Sequence, residues 1–147
     1  MNIRKATEDD LFDLLVLARE FMREAPDMYN FEKDRVEAQL KATLQNPNMV
    51  LLVAEDNGEV EGGLVGIFTN PPFSGLPVAS ELAWFVSKDK RNRKTALGLL
   101  KAFEDWGKSM GAKFLVMADI TPLSDLESLY SRKGYTVIEK SYGKEVV

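Results

Sequence analysis

The segment from Val78 to Ile120 constrains the fold more than any other part of the chain. Val78 to Ser87 is strand-like and apolar on both faces, which marks a central strand. It runs directly into Lys88-Asp89-Lys90-Arg91-Asn92-Arg93-Lys94, with five cations and one anion. A helix follows from about Thr95 to Met110, where Leu99, Phe103, Trp106 and Met110 form one apolar stripe and Gly111 supplies the stop. Lys113 to Ile120 then reads as a strand. Strand, helix and strand in this order make a βαβ unit, whose two strands run parallel.

The remainder reads as hairpins and helices. Ile3 to Ala6 is a short strand, and Thr7 followed three residues later by Asp10 resembles a capping arrangement. Leu11, Leu14, Leu15, Ala18 and Met22 recur at helical spacing until Pro26, and a second helix is expected from about Phe31 to Leu44, before Asn46-Pro47-Asn48. Met49 to Glu55 is an apolar strand. Asn57-Gly58 is a hairpin signal, so Val60 to Thr69 returns antiparallel, with Gly62, Gly63 and Gly66 leaving it bare of side chains. Asn70 to Pro77 is a loop. Leu123 to Arg132 is a short helix ending at Gly134, and Tyr135 to Val146 reads as a strand or a hairpin broken near Gly143. The order is βααβββαβαβ, an α/β (α+β) chain with a mixed, mostly antiparallel central sheet flanked by helices. With 147 residues, one domain spanning 1–147 is expected.

Two absences limit the chemistry. The chain has no His and no Cys, which removes Ser/His/Asp triads, thiolate nucleophiles, His bases and Cys-ligated metal centres. Carboxylates, Tyr, Lys, Arg and backbone amides must then do the work, and no metal is expected. Charge is also uneven: residues 1–61 carry 7 basic and 14 acidic groups, residues 62–147 carry 12 and 9. The dense basic stretch lies where a buried strand enters a helix, and a helix N-terminus already favours anions, so a ligand with several phosphates fits there.

That stretch resembles the coenzyme-A loop of the GNAT superfamily of acyl-CoA-dependent N-acetyltransferases. Val86 to Leu100 is similar to it without a gap: Arg91 and Ala96 match the ends of the Arg/Gln-x-x-Gly-x-Gly/Ala signature, while Lys94 stands at its first Gly position. Leu129-Tyr130-Ser131-Arg132-Lys133-Gly134-Tyr135 resembles the family's late Leu-Tyr-x-x-x-Gly-aromatic motif; Leu123 stands where an Asn is often found. The element order agrees over nearly the whole chain. The resemblance implies acetyl-CoA as co-substrate, held by Arg91, Asn92, Arg93, Lys94, Thr95 and Ala96, with backbone amides near Phe85 and Val86 aligning the pantetheine. It implies that Tyr130 protonates the departing thiolate.

Glu81 lies within the central strand, where a carboxylate with a raised pKa suits the proton an ammonium must lose before it attacks. In GNAT relatives a Glu at this point of the fourth strand often takes that role, and pairing with a basic neighbour is the structural alternative. Asp119 is read first as a cap for the next helix and second as a grip on a cationic substrate. Trp84, Phe103 and Trp106 are core by periodicity, and Tyr29, Phe31, Phe73 and Tyr142 are candidates for an acceptor pocket.

The resemblance thus implies acetyl transfer to a primary amine by direct attack in a ternary complex. The acidic first half points to a cationic acceptor, small molecule or peptide. Two alternatives stand: a catalytically silent CoA-binding relative, suggested by Lys94, and a nucleic-acid-binding module using the basic loop, disfavoured by the lack of an extended basic face. The longest apolar runs are far too short for a membrane span and Met1 to Lys5 leads into polar residues, so a cytoplasmic protein is expected, with self-association as a homodimer left open.

Overall fold

The computed structural model describes residues 1–25, 30–73, 75–87, 93–119 and 126–146, with Arg93 by its backbone alone. The elements are β1 (Asn2–Lys5), a 3-10 turn (Glu8–Asp10), α1 (Leu11–Glu24), α2 (Lys33–Gln45), β2 (Met49–Asp56), β3 (Glu59–Thr69), β4 (Val78–Val86), α3 (Arg93–Ser109), β5 (Phe114–Val116) and α4 (Glu127–Arg132). One sheet holds the strands in the order β1-β2-β3-β4-β5. The first four are antiparallel in sequence, and β5 joins β4 in parallel after the α3 crossover.

Each face of the sheet is covered, which explains why β2 is apolar at nearly every position. Val50, Leu52 and Ala54 join Leu64, Ala79 and Val86 beneath Leu99, Phe103 and Trp106 of α3. Leu51 and Val53 turn the other way and meet Leu14 and Leu17 of α1. The alternation of period two sends successive side chains into two separate cores. Close approach of α3 depends on two glycines. A Cβ on Gly66 would lie 2.9 Å from the Phe103 ring, and one on Gly107 would lie 2.7 Å from Leu115 Cδ2 and 2.9 Å from the Ala79 Cβ.

The entry to α1 is fixed by charge. Asp10 Oδ2 accepts the Thr7 N–H at 2.8 Å and the Arg4 guanidinium at 2.8 Å, while Oδ1 takes a second Arg4 nitrogen at 2.9 Å. The same guanidinium reaches Glu55 of β2. Asp10 is 6% exposed, and the Arg4 guanidinium holds its carboxyl below the usual carboxylate range.

Two expectations at the C-terminal end are corrected. The strand expected over Lys113 to Ile120 is paired only at Phe114–Val116, and the final strand or hairpin expected over Tyr135 to Val146 is irregular throughout its described residues, 135–146. Alternation gives a segment the capacity to pair but supplies no partner, and β5 offers only three residues. Gly134, at φ 88°, turns the chain, and Tyr135 is drawn to α3 by a hydrogen bond to Glu104. Val137 and Ile138 then stand 70% and 73% exposed. The helix expected from Leu123 runs over Glu127–Arg132, its expected start lying outside the described residues.

Candidate active site

The parallel ladder of β4 and β5 is short: Val78, Ala79 and Ser80 pair with Phe114, Leu115 and Val116, and there it ends. A bulge begins at the same point. Gly66 of β3 faces Glu81 and Val65 faces Ala83, so Leu82 is the extra residue. A bulge bends its strand and resets which side chains share a face. Beyond Ser80, among the described residues, no strand runs beside β4 on its β5 side, and the two strands form a fork. It opens toward the C-terminal ends of the parallel pair, the end at which α3 begins and the usual ligand position in such sheets.

Glu81 and Tyr130 meet at the base of this fork, through one residue. The Ala118 N–H donates to Glu81 Oε2 at 3.2 Å, and the Tyr130 hydroxyl donates to the Ala118 carbonyl at 2.8 Å. Glu81 stands opposite Gly66 and hence on the α3 side of the sheet. Burial pushes its carboxyl up to about 7, partly offset by the Ala118 N–H. Burial also pushes the Tyr130 hydroxyl far above its ordinary value, and the charges of Glu81 and Asp119 add to this. At neutral pH Tyr130 therefore keeps its proton, while Glu81 is poised to exchange one.

An aromatic group surrounds the pair. The Tyr130 ring lies 6.3 Å from Trp84 and 5.6 Å from Tyr135 by centroids. Trp84 Nε1 is buried, with no hydrogen-bond partner among the described residues. Tyr135 donates to Glu104 Oε2 of α3 at 2.9 Å. This last link was not recognised from the sequence, although Tyr135 stands in the late motif; the motif names the residue type and not the helix it reaches. Asp119 Oδ2 accepts the Leu126 N–H at 2.9 Å, at the residue preceding α4. The carboxylate ties down the residue before α4, whereas α4 itself has no side-chain cap hydrogen bond.

The basic stretch is placed only in part. Arg91, Asn92 and the Arg93 side chain lie outside the described residues. Lys94 is exposed in the first turn of α3, whereas Thr95 is 1% exposed and donates to Met1 Sδ at 3.2 Å, and Ala96 packs toward the α3 core. Thr95 and Ala96 lie in the first turn of α3, the end of a helix that favours anions. Val86 is buried in the α3-side core, and Phe85 makes an edge-to-face contact with Phe21 of α1 at 5.5 Å. Tyr29 lies outside the described residues, Phe31 is half-buried, and Phe73 and Tyr142 are exposed. The structure thus brings neither Phe73 nor Tyr142 into a pocket. A separate shallow cavity of about 270 Å³, lined by Lys5, Thr43, Asn46, Met49, Trp106 and Met110, lies where β2 begins, two strands across the sheet from β4. Among the described residues, no group of acidic side chains could hold a metal ion.

Phosphates at the start of α3 and a thioester reaching back along β4 to Glu81 would fit this arrangement. A family model described as the acetyltransferase (GNAT) family matches residues 10–135. An uncharacterized N-acetyltransferase, YhfO, of Bacillus subtilis (strain 168) is 34% identical over 140 residues, covering 92% of this chain and 89% of that one. Two solved structures share the fold. One is an aminoglycoside antibiotic 6'-N-acetyltransferase from Acinetobacter haemolyticus, with a TM-score of 0.78, 18% identity and full coverage of both chains. The other is a ribosomal-protein-alanine N-acetyltransferase from Brucella melitensis biovar Abortus 2308, also at 0.78 and 18%, covering 99% of this chain and 100% of that one. The chain therefore belongs to the acetyltransferase (GNAT) family and is an acetyl-CoA-dependent N-acetyltransferase.

Proposed function

We propose that residues 1–147 act as one acetyltransferase domain in which a cationic primary amine attacks the thioester directly, with Glu81 as base and Tyr130 as acid. The observation that carries this reading is the attachment of both side chains to Ala118, at the point where β4 and β5 part. Acetyl-CoA, when bound, supplies an acetyl group activated as a thioester. Glu81 takes the proton that the acceptor ammonium must lose to expose its lone pair. As the new C–N bond forms and the C–S bond breaks, Tyr130 gives its proton to the sulfur, exchanging the Ala118 carbonyl for that acceptor, and the second proton that the nitrogen sheds in becoming an amide restores the Tyr130 hydroxyl. Arg91, Asn92 and Arg93 are assigned with Lys94 and the first backbone N–H groups of α3 to the phosphates, and the Phe85 and Val86 backbone to the pantetheine arm. With neither His nor Cys in the chain, a covalent acetyl-thiol route has no carrier.

The cationic acceptor rests on the acidic first half, and the ion pairs narrow that argument. Arg4 occupies Asp10 and Glu55, Lys41 pairs with Glu37 at 3.3 Å, and Arg35 with Glu32 at 3.5 Å. Glu8, Asp9, Asp34 and Glu59 are exposed, and one carboxylate oxygen of Glu20 is buried without a hydrogen-bond partner among the described residues. Glu20 adjoins Phe21, whose ring touches Phe85 of β4. These charges favour encounter with cations, an effect that salt screens over about 8–10 Å. The structural relatives named for an aminoglycoside and for a protein alanine set the two acceptor classes to try first. No helix among the described residues is long and apolar enough to cross a membrane, and we place the enzyme in the cytoplasm, where acetyl-CoA is available, with a homodimer as an open arrangement.

The test is release of CoA from acetyl-CoA with polyamines, aminoglycosides, basic peptide N-termini and acidic amino acids, at low and high salt. Cationic acceptors should react fastest and lose rate as salt rises. Preference for an acidic acceptor would overturn the charge argument, and no transfer to any amine would overturn the catalytic assignment.

A further inference from the structure

We propose that Tyr135 is a positioning residue for Tyr130, holding its hydroxyl in the fork through a tether to Glu104 of α3. This rests on the reading of Tyr130 as the proton donor to sulfur. α4 has six residues, too few to hold itself in water, so its orientation is set by what ties it down. At its start, Leu126 is bound by Asp119; at its centre, Tyr130 is bound through its hydroxyl to Ala118. That second tie uses the very proton that must be given away, so it cannot also hold the ring during transfer.

Tyr135 supplies the tie that survives. After Gly134 turns the chain, the Tyr135 N–H donates to the Tyr130 carbonyl at 2.9 Å. Its ring lies against the Tyr130 ring, with centroids 5.6 Å apart and planes at 52°. Its hydroxyl donates to Glu104 Oε2 at 2.9 Å, half-buried on α3. Tyr130 is thereby enclosed between Trp84 of β4 and a side chain anchored to the helix that carries the core, whichever acceptor its own hydroxyl has chosen. The groups facing Tyr130 are Glu81 from β4, Asp119 from the segment after β5, and Tyr135; the group facing the Tyr135 hydroxyl is Glu104.

The test needs no knowledge of the acceptor. CoA and desulfo-CoA differ at the sulfur, so the ratio of their affinities, measured calorimetrically at a pH where the thiol is ionised, reads the donor that meets the thiolate. The wild type should prefer CoA, and Y130F should abolish the preference. Y135F and E104A should each reduce it by about fivefold, the size of one ordinary hydrogen bond, and the double variant should lose no more than either alone. E104Q, whose carbonyl still accepts from Tyr135, should keep it within about twofold, and desulfo-CoA affinity should hold in every variant. If Y130F abolishes the preference while Y135F and E104A retain it, the tether is wrong and the reading of Tyr130 stands. If the wild type shows no preference, or Y130F keeps it, both fall. Equal loss of CoA and desulfo-CoA affinity in Y135F would make Tyr135 a general structural residue and overturn the proposal.

Discussion

Glu81 sits in a short stretch of strand where water is scarce and one backbone N–H is its partner, and those two facts set opposite pulls on its proton. Burial wins, and the carboxyl rises from an ordinary value of 4.5 to about 7. A base must be deprotonated to act, so the rate should climb as pH rises through about 7. Glu81→Gln should remove that limb and lower turnover about 100-fold. Stability runs the other way. The native state keeps a proton that the unfolded chain has already released, so the group's contribution is complete below 4.5 and is lost as pH rises through about 7. Thermal melts of Glu81→Gln against wild type should show the variant gaining relative stability between about pH 5 and about pH 8. A constant difference across that range would contradict the raised value. Sequence alone could place Glu81 in a central strand; its proton affinity is set by burial and, in the opposite sense, by the N–H of Ala118, 37 residues away, which periodicity does not report.

Among the elements, β4 and β5 define the fork, and α3 approaches both closely at Gly107. Gly107→Val would press a side chain onto Leu115 and Ala79, both beside the last paired residues of the two strands. Overpacking of this kind costs about 1–3 kcal/mol, and here it should also weaken CoA binding by shifting one arm of the fork. Gly111→Ala has open space around it and is strained only by its φ of 91°, so it should lower the melting temperature while leaving CoA affinity unchanged. Calorimetry on both variants separates these effects. The long elements were legible because a helix stripe or an apolar run of strand length reports its own burial. The bulge at Leu82 was not, since nothing in Ser80-Glu81-Leu82-Ala83 departs from a plain strand, yet it sets where the ladder stops. The C-terminal segment failed for a related reason: Thr136 to Glu139 has strand character, but pairing requires a neighbour that β5 is too short to supply.

Over the whole molecule, the antiparallel half forms a platform and the crossover half carries the chemistry, with the Arg4 cluster fastening α1 to the platform. Arg4→Met would leave the nearly buried Asp10 carboxylate without its charged partner, at a cost of about 2–3 kcal/mol. Asp10 lies below its ordinary value in the native state, so its contribution is present above 3.8 and is lost as pH falls. The gap in melting temperature between wild type and Arg4→Met should therefore narrow on acidification, which a pH series of melts would show. The cluster lies on β1, three strands from β4 in the sheet, so CoA affinity should survive the substitution.

Amide hydrogen exchange with and without CoA tests most directly whether the ligand lies along β4 and the start of α3. Added CoA should slow exchange at Leu82 to Val86 and at Arg93 to Ala96, with little change at Lys5, Thr43 or Met49 around the separate cavity. Protection confined to that cavity, with the β4 edge and the first turn of α3 unchanged, would contradict the placement of the active site in the fork.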